Sequence, residues 1–345
     1  MMLSPLFGSI LRDSIIDGQP HHCSETRAFW AELLCAHQQT SLPVLPTANR
    51  KLGIACAIGV FIIWSSFFVI SRMGVTTALT PFDLTALRFI VSLCLVLPVA
   101  WRWWPRHLPP TGLFVMGLFG PGALYSLIMY TGLSSAPVAY AGVFANGSLP
   151  IFSILFLLIL KRDRPALNQV LGVAVIVAGS VMLSLKGLSA TSGDVLSGVM
   201  FFLLASATIS IYLIGVQHWR LTPRQALALV TVPNALMYLP LWYFWLPSGL
   251  SETDLTTVVA QAMFQGLFPG FLAVLLFATA TINLGSTATS GFAASVPAGA
   301  ALLAVPVLGE IPTVLEWFGI LTVTIGLALT LIRRTVPTKT TPPGK

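Results

Sequence analysis

Residues 148–165 read SLPIFSILFLLILKRDRP, and residues 295–312 read SVPAGAALLAVPVLGEIP. The two stretches align without a gap, and the alignment continues to residues 179 and 326. Self-similarity at a fixed offset indicates an internal repeat. The matched pairs are Ser148 and Ser295, Pro150 and Pro297, Asp163 and Glu310, Pro165 and Pro312, Gly172 and Gly319, and Gly179 and Gly326.

The repeat lies in a chain of 345 residues that is 56% hydrophobic and only 8% charged. A run of about 20 apolar residues is long enough to span a bilayer as a helix. Such runs recur from residue 52 almost to the end, so the sequence predicts an all-α membrane protein with ten transmembrane helices. The predicted spans are Leu52–Ser71, Leu84–Ala100, Gly112–Leu133, Val138–Leu160, Leu167–Leu185, Val195–Val216, Ala226–Trp245, Val258–Leu284, Gly291–Leu308 and Thr313–Ile332.

Each copy of the repeat holds five spans, residues 51–186 in the first and 194–334 in the second. Because five is odd, the second copy enters the membrane from the opposite side, which predicts two inverted five-helix repeats. Residues 1–50 carry many of the acidic residues and are expected to be a disordered cytoplasmic tail or a segment outside the native start. Residues 335–345 form the second predicted cytoplasmic tail.

Lysine and arginine are distributed unevenly between the two sides of these spans. Eleven lie in loops or flanks on the side of both termini, whereas the other side holds only Arg72 and Lys186. Basic loops stay in the cytoplasm. We therefore expect both termini in the cytoplasm and the protein in the cytoplasmic (inner) membrane.

Several short motifs resemble those of one known family. They are Trp64-Ser65-Ser66-Phe67, Pro81 followed by Arg88-Phe89, Tyr130-Thr131, Pro150, and Gly309-Glu310 followed by Pro312 and Gly319. Together, and in this order, they resemble the EamA-type transporters of the drug/metabolite transporter superfamily, over about residues 51 to 334. The first repeat departs from the family pattern, because Arg162-Asp163 stands where Gly-Glu is common.

The resemblance implies a secondary, ATP-independent transporter that works by alternating access as a monomer or homodimer. Its expected cargo is an amino acid or a similar small amphiphilic solute that is exported. Import or exchange of a sugar, a nucleotide-sugar or a drug-like cation stays open as the alternative. The sequence has no GxxxxGK[ST] loop, which agrees with ATP-independent transport.

Other classes of function fit the sequence less well. An intramembrane enzyme is a remote alternative, because no histidine lies within a predicted span and neither HExxH nor GxSxG occurs. The net charge of +7 comes from residues at helix ends rather than from a patch with interleaved aromatics, so nucleic acid is not an expected partner. We expect no metal and no cofactor. The expected partners are a small-molecule substrate and the lipid bilayer.

Polar and aromatic side chains inside the spans are the candidates for substrate binding. Arg88 is a basic residue within a span, where a guanidinium either binds a substrate carboxylate or bonds a helix end. The other candidates pair hydrogen-bonding groups with apolar surface, and each could equally pack between helices. They are Trp64, Ser65, Ser66, Tyr125, Tyr130, Asn146 and Tyr212.

Prolines and glycines predict where the spans are interrupted. Pro121-Gly122 and Pro269-Gly270 interrupt the third and eighth spans at corresponding positions, and Pro150 and Pro297 do so in the fourth and ninth. Paired breaks in two repeats are typical of a central binding site, although they can also be packing kinks. Gly291, Ser295 and Gly299 recur every four residues and predict close helix packing.

Two carboxylates lie at span ends, Asp163 in the first repeat and Glu310 in the second. Each precedes a proline and a new helix. We expect each to cap the helix that follows it, where the helix dipole favours negative charge, rather than to carry protons.

Overall fold

The structure is a computed structural model that describes residues 49–161, 165–189, 193–284 and 286–331. Within these ranges every regular element is a helix. The α-helices are α1 (Arg50–Val75), α2 (Pro81–Trp103), α3 (Pro110–Phe119), α4 (Ala123–Ser135), α5 (Val138–Ala141), α6 (Leu149–Lys161), α7 (Leu167–Ser189), α8 (Gly193–His218), α9 (Pro223–Trp245), α10 (Leu255–Leu267), α11 (Ala273–Leu284), α12 (Ser286–Ala294), α13 (Val296–Leu308) and α14 (Val314–Leu331). Two π-helical turns, Gly142–Asn146 and Phe268–Leu272, and a short 3₁₀ turn, Leu250–Glu252, complete the set.

These elements form ten helical stretches that are long and apolar enough to cross a membrane. Spans one, two, five, six, seven and ten are the single helices α1, α2, α7, α8, α9 and α14. The other four are interrupted: span three is α3 and α4, span four is α5 and α6, span eight is α10 and α11, and span nine is α12 and α13. The predicted fold of ten membrane helices is therefore confirmed, although several helices extend one turn beyond their predicted ends.

The second and seventh spans begin with the same motif. Thr80 and Asp83 form a capping box around Pro81, and Thr222 and Gln225 form another around Pro223. Threonine accepts a hydrogen bond from the third helical N–H while the third side chain bonds back to the threonine N–H, which satisfies two orphan donors. The shared motif places the same helix start in each repeat, at opposite ends of the bundle.

The interface of spans five and ten displays the repeat symmetry directly. A Cβ added to Gly172 would lie 2.8 Å from the carbonyl oxygen of Gly326, and one added to Gly179 would lie 2.7 Å from that of Gly319. Since Gly172 corresponds to Gly319 and Gly179 to Gly326, exchanging the two repeats turns one contact into the other. The two helices therefore cross around a pseudo-two-fold axis, as inverted repeats require.

Charged side chains are segregated between the two ends of the bundle. Every Asp and Glu within the described ranges lies at one end, which we name the acidic end: Asp83, Asp194, Glu252, Asp254, Glu310 and Glu316. The opposite end, which we name the basic end, carries Arg50, Lys51, Arg102, Arg106, Arg220 and Arg224. Asp163 lies outside the described residues.

The predicted small-residue face of span nine packs at one of its glycines. A Cβ at Gly299 would lie 2.5 Å from both Phe61 and Ser65 of span one, whereas a Cβ at Gly291 would meet nothing within 4 Å. The expectation of close packing therefore holds at Gly299 and is wrong at Gly291, which lies on the far side of the turn at Ser295.

Candidate functional site

The third span is broken where the sequence predicts it, between Phe119 and Ala123. Pro121 has no N–H, so the carbonyl of Gly117, four residues earlier, loses its helical partner. The N–H of Ala123 at the start of the next helix is also without one. A break inside a bilayer needs partners for these groups, because lipid supplies none.

Asn234 of span seven supplies those partners. Its Oδ1 accepts from the N–H of Ala123 at 2.8 Å, and its Nδ2 donates to the carbonyl of Gly117 at 3.0 Å. A Cβ at Gly122 would lie 2.6 Å from this carboxamide, so the glycine makes room for it. Asn234 was not singled out from the sequence, although an amide directly after Pro233 in an apolar span indicates a buried polar contact.

Arg88 of span two lies on the same break. The residue is 7% exposed, and its Nη2 lies 3.4 Å from the carbonyl oxygen of Pro121. The helix begins at Pro81 rather than at the predicted Leu84, so Arg88 lies about two turns inside the span and not one. No carboxylate among the described residues lies within ion-pair distance of Arg88. The ion pair that the described ranges contain joins Arg72 and Glu310 instead.

Two tyrosines of the third span are electrostatically coupled to Arg88, but they differ in access. Tyr130 is fully buried, and its hydroxyl donates to Gln265 Oε1 at 3.1 Å. Tyr125, one turn after the break, keeps part of its surface exposed. The structure therefore brings Arg88, Tyr125, Tyr130, Pro121 and Gly122 together, and Tyr125 is less buried than Arg88 and Tyr130.

A buried polar chain continues from Tyr130 across spans eight and one. Gln265 Nε2 donates to Ser71 Oγ at 3.0 Å and contacts Gln261 Oε1 at 3.2 Å, and Gln261 Nε2 donates to the carbonyl of Ile70 at 2.8 Å. Both glutamines are buried. They were also missed, although two glutamines spaced four residues apart in an apolar helix lie on one face and indicate a buried contact.

The candidates of the first span do not reach this group. Trp64 stacks on Phe277 of span eight with ring centroids 5.4 Å apart. Ser65 is fully buried against Gly299, and its Oγ has no hydrogen-bond partner among the described residues. Ser66 is partly exposed. Of the three, Trp64 and Ser66 retain surface that a solute could contact.

The fourth and ninth spans are interrupted at Pro150 and Pro297, as predicted. A π-helical turn, Gly142–Asn146, precedes Pro150, and π turns occur often at functional sites. Asn146 is partly exposed, and no hydrogen bond to its side chain occurs within the described ranges. Gly142 meets Pro297 across the two spans, where a Cβ would lie 2.9 Å from Pro297 Cα.

The interruption at Pro269-Gly270 differs from its counterpart in span three. Span eight continues through a π-helical turn, Phe268–Leu272, without a break. Ser92 of span two donates to the carbonyl of Gly266 at 3.0 Å, which satisfies part of the shifted backbone. The last aromatic candidate, Tyr212 of span six, packs beside Gly120 and the Met116 cluster, which precede the span-three break in the chain. The Arg88 group gathers residues of span three from Pro121 onward.

Glu310 caps a helix, but not the one that the sequence predicts. Its Oε2 accepts from the N–H of Val138 at the start of span four at 2.8 Å, and its Oε1 lies 3.2 Å from Arg72 Nε. The helix that follows Glu310 is capped instead by Thr313 and Glu316. Arg72 also donates to the carbonyl of Leu133, so this cluster joins the ends of spans one, three and nine to the start of span four.

A second carboxylate at the acidic end was not singled out from the sequence. Asp83 is fully buried and accepts from the indole Nε1 of Trp242 at 3.0 Å and from the N–H of Gly249 at 2.9 Å. We name Asp83, Trp242 and Gly249 the Asp83 latch, because they tie the start of span two to the end of span seven and the loop after it. A Cβ at Gly249 would lie 1.9 Å from the carbonyl oxygen of Ala78, so only glycine fits there.

Comparisons with known proteins identify the architecture. A family model described as the EamA-like transporter family matches residues 51–185 and 196–332, one match for each repeat. A crystal structure of a 20% identical protein superposes with a TM-score of 0.56 over 81% of this chain and 96% of that one, which shows a shared fold. No curated protein matches the chain. The chain is therefore a multi-pass membrane protein that belongs to the EamA-like transporter family, within the drug/metabolite transporter superfamily.

Proposed function

We propose that this chain is a secondary transporter that exports amino acids or similar small amphiphilic solutes across the cytoplasmic membrane by alternating access. The observation that carries the cargo class is the buried guanidinium of Arg88, which no described carboxylate neutralises. The mechanism is supported by the carboxylates that join several spans at the acidic end of the bundle.

Arg88 is suited to the carboxylate of a cargo. A guanidinium presents five N–H donors and binds a carboxylate through two parallel hydrogen bonds. The structure gives Arg88 a long hydrogen bond to a backbone carbonyl and a contact with the Tyr130 hydroxyl, both neutral groups, while burying it almost completely. A buried charge without a partner is costly, so an anionic group on the cargo would lower the free energy of this site.

The surroundings of Arg88 suit the rest of an amphiphilic cargo. Tyr125 lies one turn from the break and combines an apolar ring with a hydroxyl. Tyr130 adds a second phenol to the Arg88 group, with its hydroxyl bonded to Gln265. A site with one cation, aromatic surface and a few neutral polar groups favours a small molecule with a carboxylate and an apolar side chain over a sugar or a cationic drug.

In alternating access, contacts between spans hold the closed end of the bundle together. At the acidic end the Asp83 carboxylate bonds both Trp242 and Gly249. The residue that occupies the position of Asp83 in the other repeat is Gln225, at the basic end. Its carboxamide oxygen accepts hydrogen bonds from the N–H and hydroxyl of Thr222, which are contacts within its own cap.

The Arg72 and Glu310 cluster adds a second tie at the acidic end, across spans one, three, four and nine. We infer that this conformation is closed toward the acidic end. In the alternate state the ties at the acidic end would open, because exchanging the conformations of two inverted repeats exchanges the open and closed sides.

Export is compatible with the orientation that the basic residues favour. Lys and Arg on the loops of the basic end favour a cytoplasmic location for that end. A conformation closed at the acidic end would then be open toward the cytoplasm, which is the loading state of an exporter and the release state of an importer, so the secretion assay below decides the direction.

The test is secretion from cells fed with dipeptides, which raises the cytoplasmic concentration of free amino acids. Extracellular amino acids are quantified over time for cells with the wild-type protein, the Arg88→Leu variant or an empty vector, at equal membrane abundance of the two proteins. We expect wild-type cells to secrete at least one amino acid faster than vector cells, and Arg88→Leu cells to match the vector.

Equal secretion by all three strains would overturn the amino-acid assignment. Faster depletion of amino acids from the medium by wild-type cells would overturn the direction. Secretion by Arg88→Leu cells at the wild-type rate would show that Arg88 does not bind the cargo, and the assignment of export would still hold.

A further inference from the structure

The basic end carries a surface cavity of about 510 Å³, separate from the span-three break. It lies between the end of span two with its following loop and the start of span seven. Its lining combines cationic, aromatic and amide side chains: Trp101, Arg102, Trp104, Arg106, His107 and Gln225.

The two arginines of this cavity have no counter-charge within the described part of the chain. Arg102 and Arg106 are exposed, and neither forms an ion pair there. Every acidic side chain that the structure describes lies at the opposite end of the bundle, a membrane thickness away. Charges separated by more than a Debye length of about 8 Å are screened from each other, so the acidic end does not neutralise this cavity.

The loop that carries the cavity is held in place. Arg102 Cζ lies 4.8 Å from the centroid of the Trp101 ring, a cation–π contact that orients the guanidinium. His107 Nε2 lies 3.4 Å from the carbonyl oxygen of Trp219 at the end of span six. Leu108, the next residue, is buried beside Trp219 and Leu221. Arg102 and the loop that carries Arg106 are therefore held in place before a ligand arrives.

The hydrogen-bonding groups of the lining select an anion. The two guanidinium groups are donors only, and the lining contains no carboxylate. The carboxamide oxygen of Gln225 accepts hydrogen bonds in the cap of span seven, so its NH₂ group is the part that can donate to a ligand. A phosphate, with several acceptor oxygens and negative charge, matches this set.

An apolar stripe leads from the cavity into the membrane along span two. Ile90, Cys94, Leu97 and Trp101 are spaced by four, three and four residues, which places them on one face of the helix. All four are exposed, Leu97 to 53% and Trp101 to 62%. A cationic cavity at the level of the aromatic belt, continuous with an apolar stripe, fits a molecule that has a phosphate at one end and acyl chains at the other.

We propose that this cavity binds the phosphate headgroup of an anionic phospholipid, with Arg102 and Arg106 as its ligands and an acyl chain lying along Ile90, Cys94, Leu97 and Trp101. The proposal concerns the lipid partner of the protein and does not depend on the identity or direction of the cargo.

The test is native mass spectrometry of the purified full-length protein with phosphatidylglycerol or phosphatidylcholine added at equal concentrations. The double variant Arg102→Gln/Arg106→Gln is compared with Arg50→Gln/Lys51→Gln, which removes the same charge from the same end but outside the cavity. We expect the wild-type protein and the control to retain phosphatidylglycerol in preference to phosphatidylcholine, and the cavity variant to bind phosphatidylglycerol at least about fivefold more weakly. Thermal unfolding in phosphatidylcholine checks that both variants are folded.

A third arm distinguishes a lipid from a soluble anion. Glycerol 3-phosphate at millimolar concentration carries the same phosphate without acyl chains, and we expect it to leave the bound phosphatidylglycerol in place. Displacement of the lipid by glycerol 3-phosphate would overturn the lipid assignment in favour of a soluble phosphate. If the wild-type protein retained the two lipids equally, or if the cavity variant and the control variant lost phosphatidylglycerol to the same extent, the proposed binding site would be wrong.

Discussion

Gly179 and Gly319 face each other with almost no space between their helices. A Cβ on Gly179 would lie 2.7 Å from the carbonyl oxygen of Gly319, and one on Gly319 would lie 2.8 Å from that of Gly179. The same contact recurs between Gly172 and Gly326, because spans five and ten are corresponding helices of the two repeats. Glycine allows the backbones of spans five and ten to touch, which is how membrane helices gain packing energy without a hydrophobic effect between them.

Gly179→Ala is expected to destabilise the protein. The added methyl group meets backbone that cannot move aside alone, and overpacking of this kind costs about 1–3 kcal/mol. The measurement is the thermal unfolding midpoint in detergent. Gly117→Ala is the matched control, because a Cβ at Gly117 meets nothing within 4 Å. If the midpoint of Gly179→Ala is no lower than that of Gly117→Ala, the tight helix contact is wrong.

Asn234→Leu is expected to lower the unfolding midpoint by removing the groups that satisfy the break in span three. The substitution keeps side-chain volume similar but leaves the N–H of Ala123 and the carbonyl of Gly117 unpaired, at about 1–3 kcal/mol for each buried group. Asn234→Asp retains an acceptor for Ala123 and loses the donors, so its midpoint should lie between those of Asn234→Leu and wild type. The opposite order of the two variants would contradict the assigned hydrogen bonds.

Asp83→Asn is expected to loosen the latch at the acidic end. A carboxamide cannot accept from Trp242, Gly249 and Thr80 together, so the amide of Gly249 should exchange with solvent at least about fivefold faster. Hydrogen–deuterium exchange of residues 246–254 measures this effect. Asp254→Asn, at an exposed helix start on the same end, is the control and should leave Gly249 unchanged. Unchanged exchange in Asp83→Asn would remove the latch from the mechanism.

Arg88→Lys is expected to reduce transport of a carboxylate-bearing cargo by about tenfold while protein stability changes little. Lysine keeps the charge but cannot form the two parallel hydrogen bonds of a guanidinium. The measurement compares secretion of an amino acid with that of its decarboxylated amine. Equal reductions for the two solutes would show that Arg88 supports the break at Pro121 rather than binding the carboxylate.

The repeat and the interruptions of its helices were predictable because their signals are local and periodic. Pro150 and Pro297 lie where their spans are interrupted, as expected, since a proline within a helical run removes the hydrogen bond to the carbonyl four residues before it. Gly172 and Gly179 matched Gly319 and Gly326 in the sequence and prove to be the residues at which the two helices touch. The ten spans follow from hydropathy alone.

The partners of individual groups were not predictable, because they depend on contacts between distant spans. Asn234 lies 111 residues from Ala123, to which it bonds, and Gln265 lies 135 residues from Tyr130. The carboxylate of Glu310 was expected to cap its own neighbour, yet Val138, 172 residues away, is its partner. A sequence shows that such a polar group needs a partner, and only the packing of the spans decides which one it finds.

If the Arg88 site binds the proposed cargo, the movement of this charge through the membrane field during transport would make the rate sensitive to the membrane potential. A charge that crosses the whole membrane gains or loses about 2.3 kcal/mol per 100 mV, and a charge two turns inside a span experiences part of that field. A cargo that is a simple carboxylate would cancel the charge of Arg88 when it binds, whereas a zwitterion would leave the net charge of the complex positive. The voltage dependence of the rate would then report the charge of the cargo, before the cargo itself is identified.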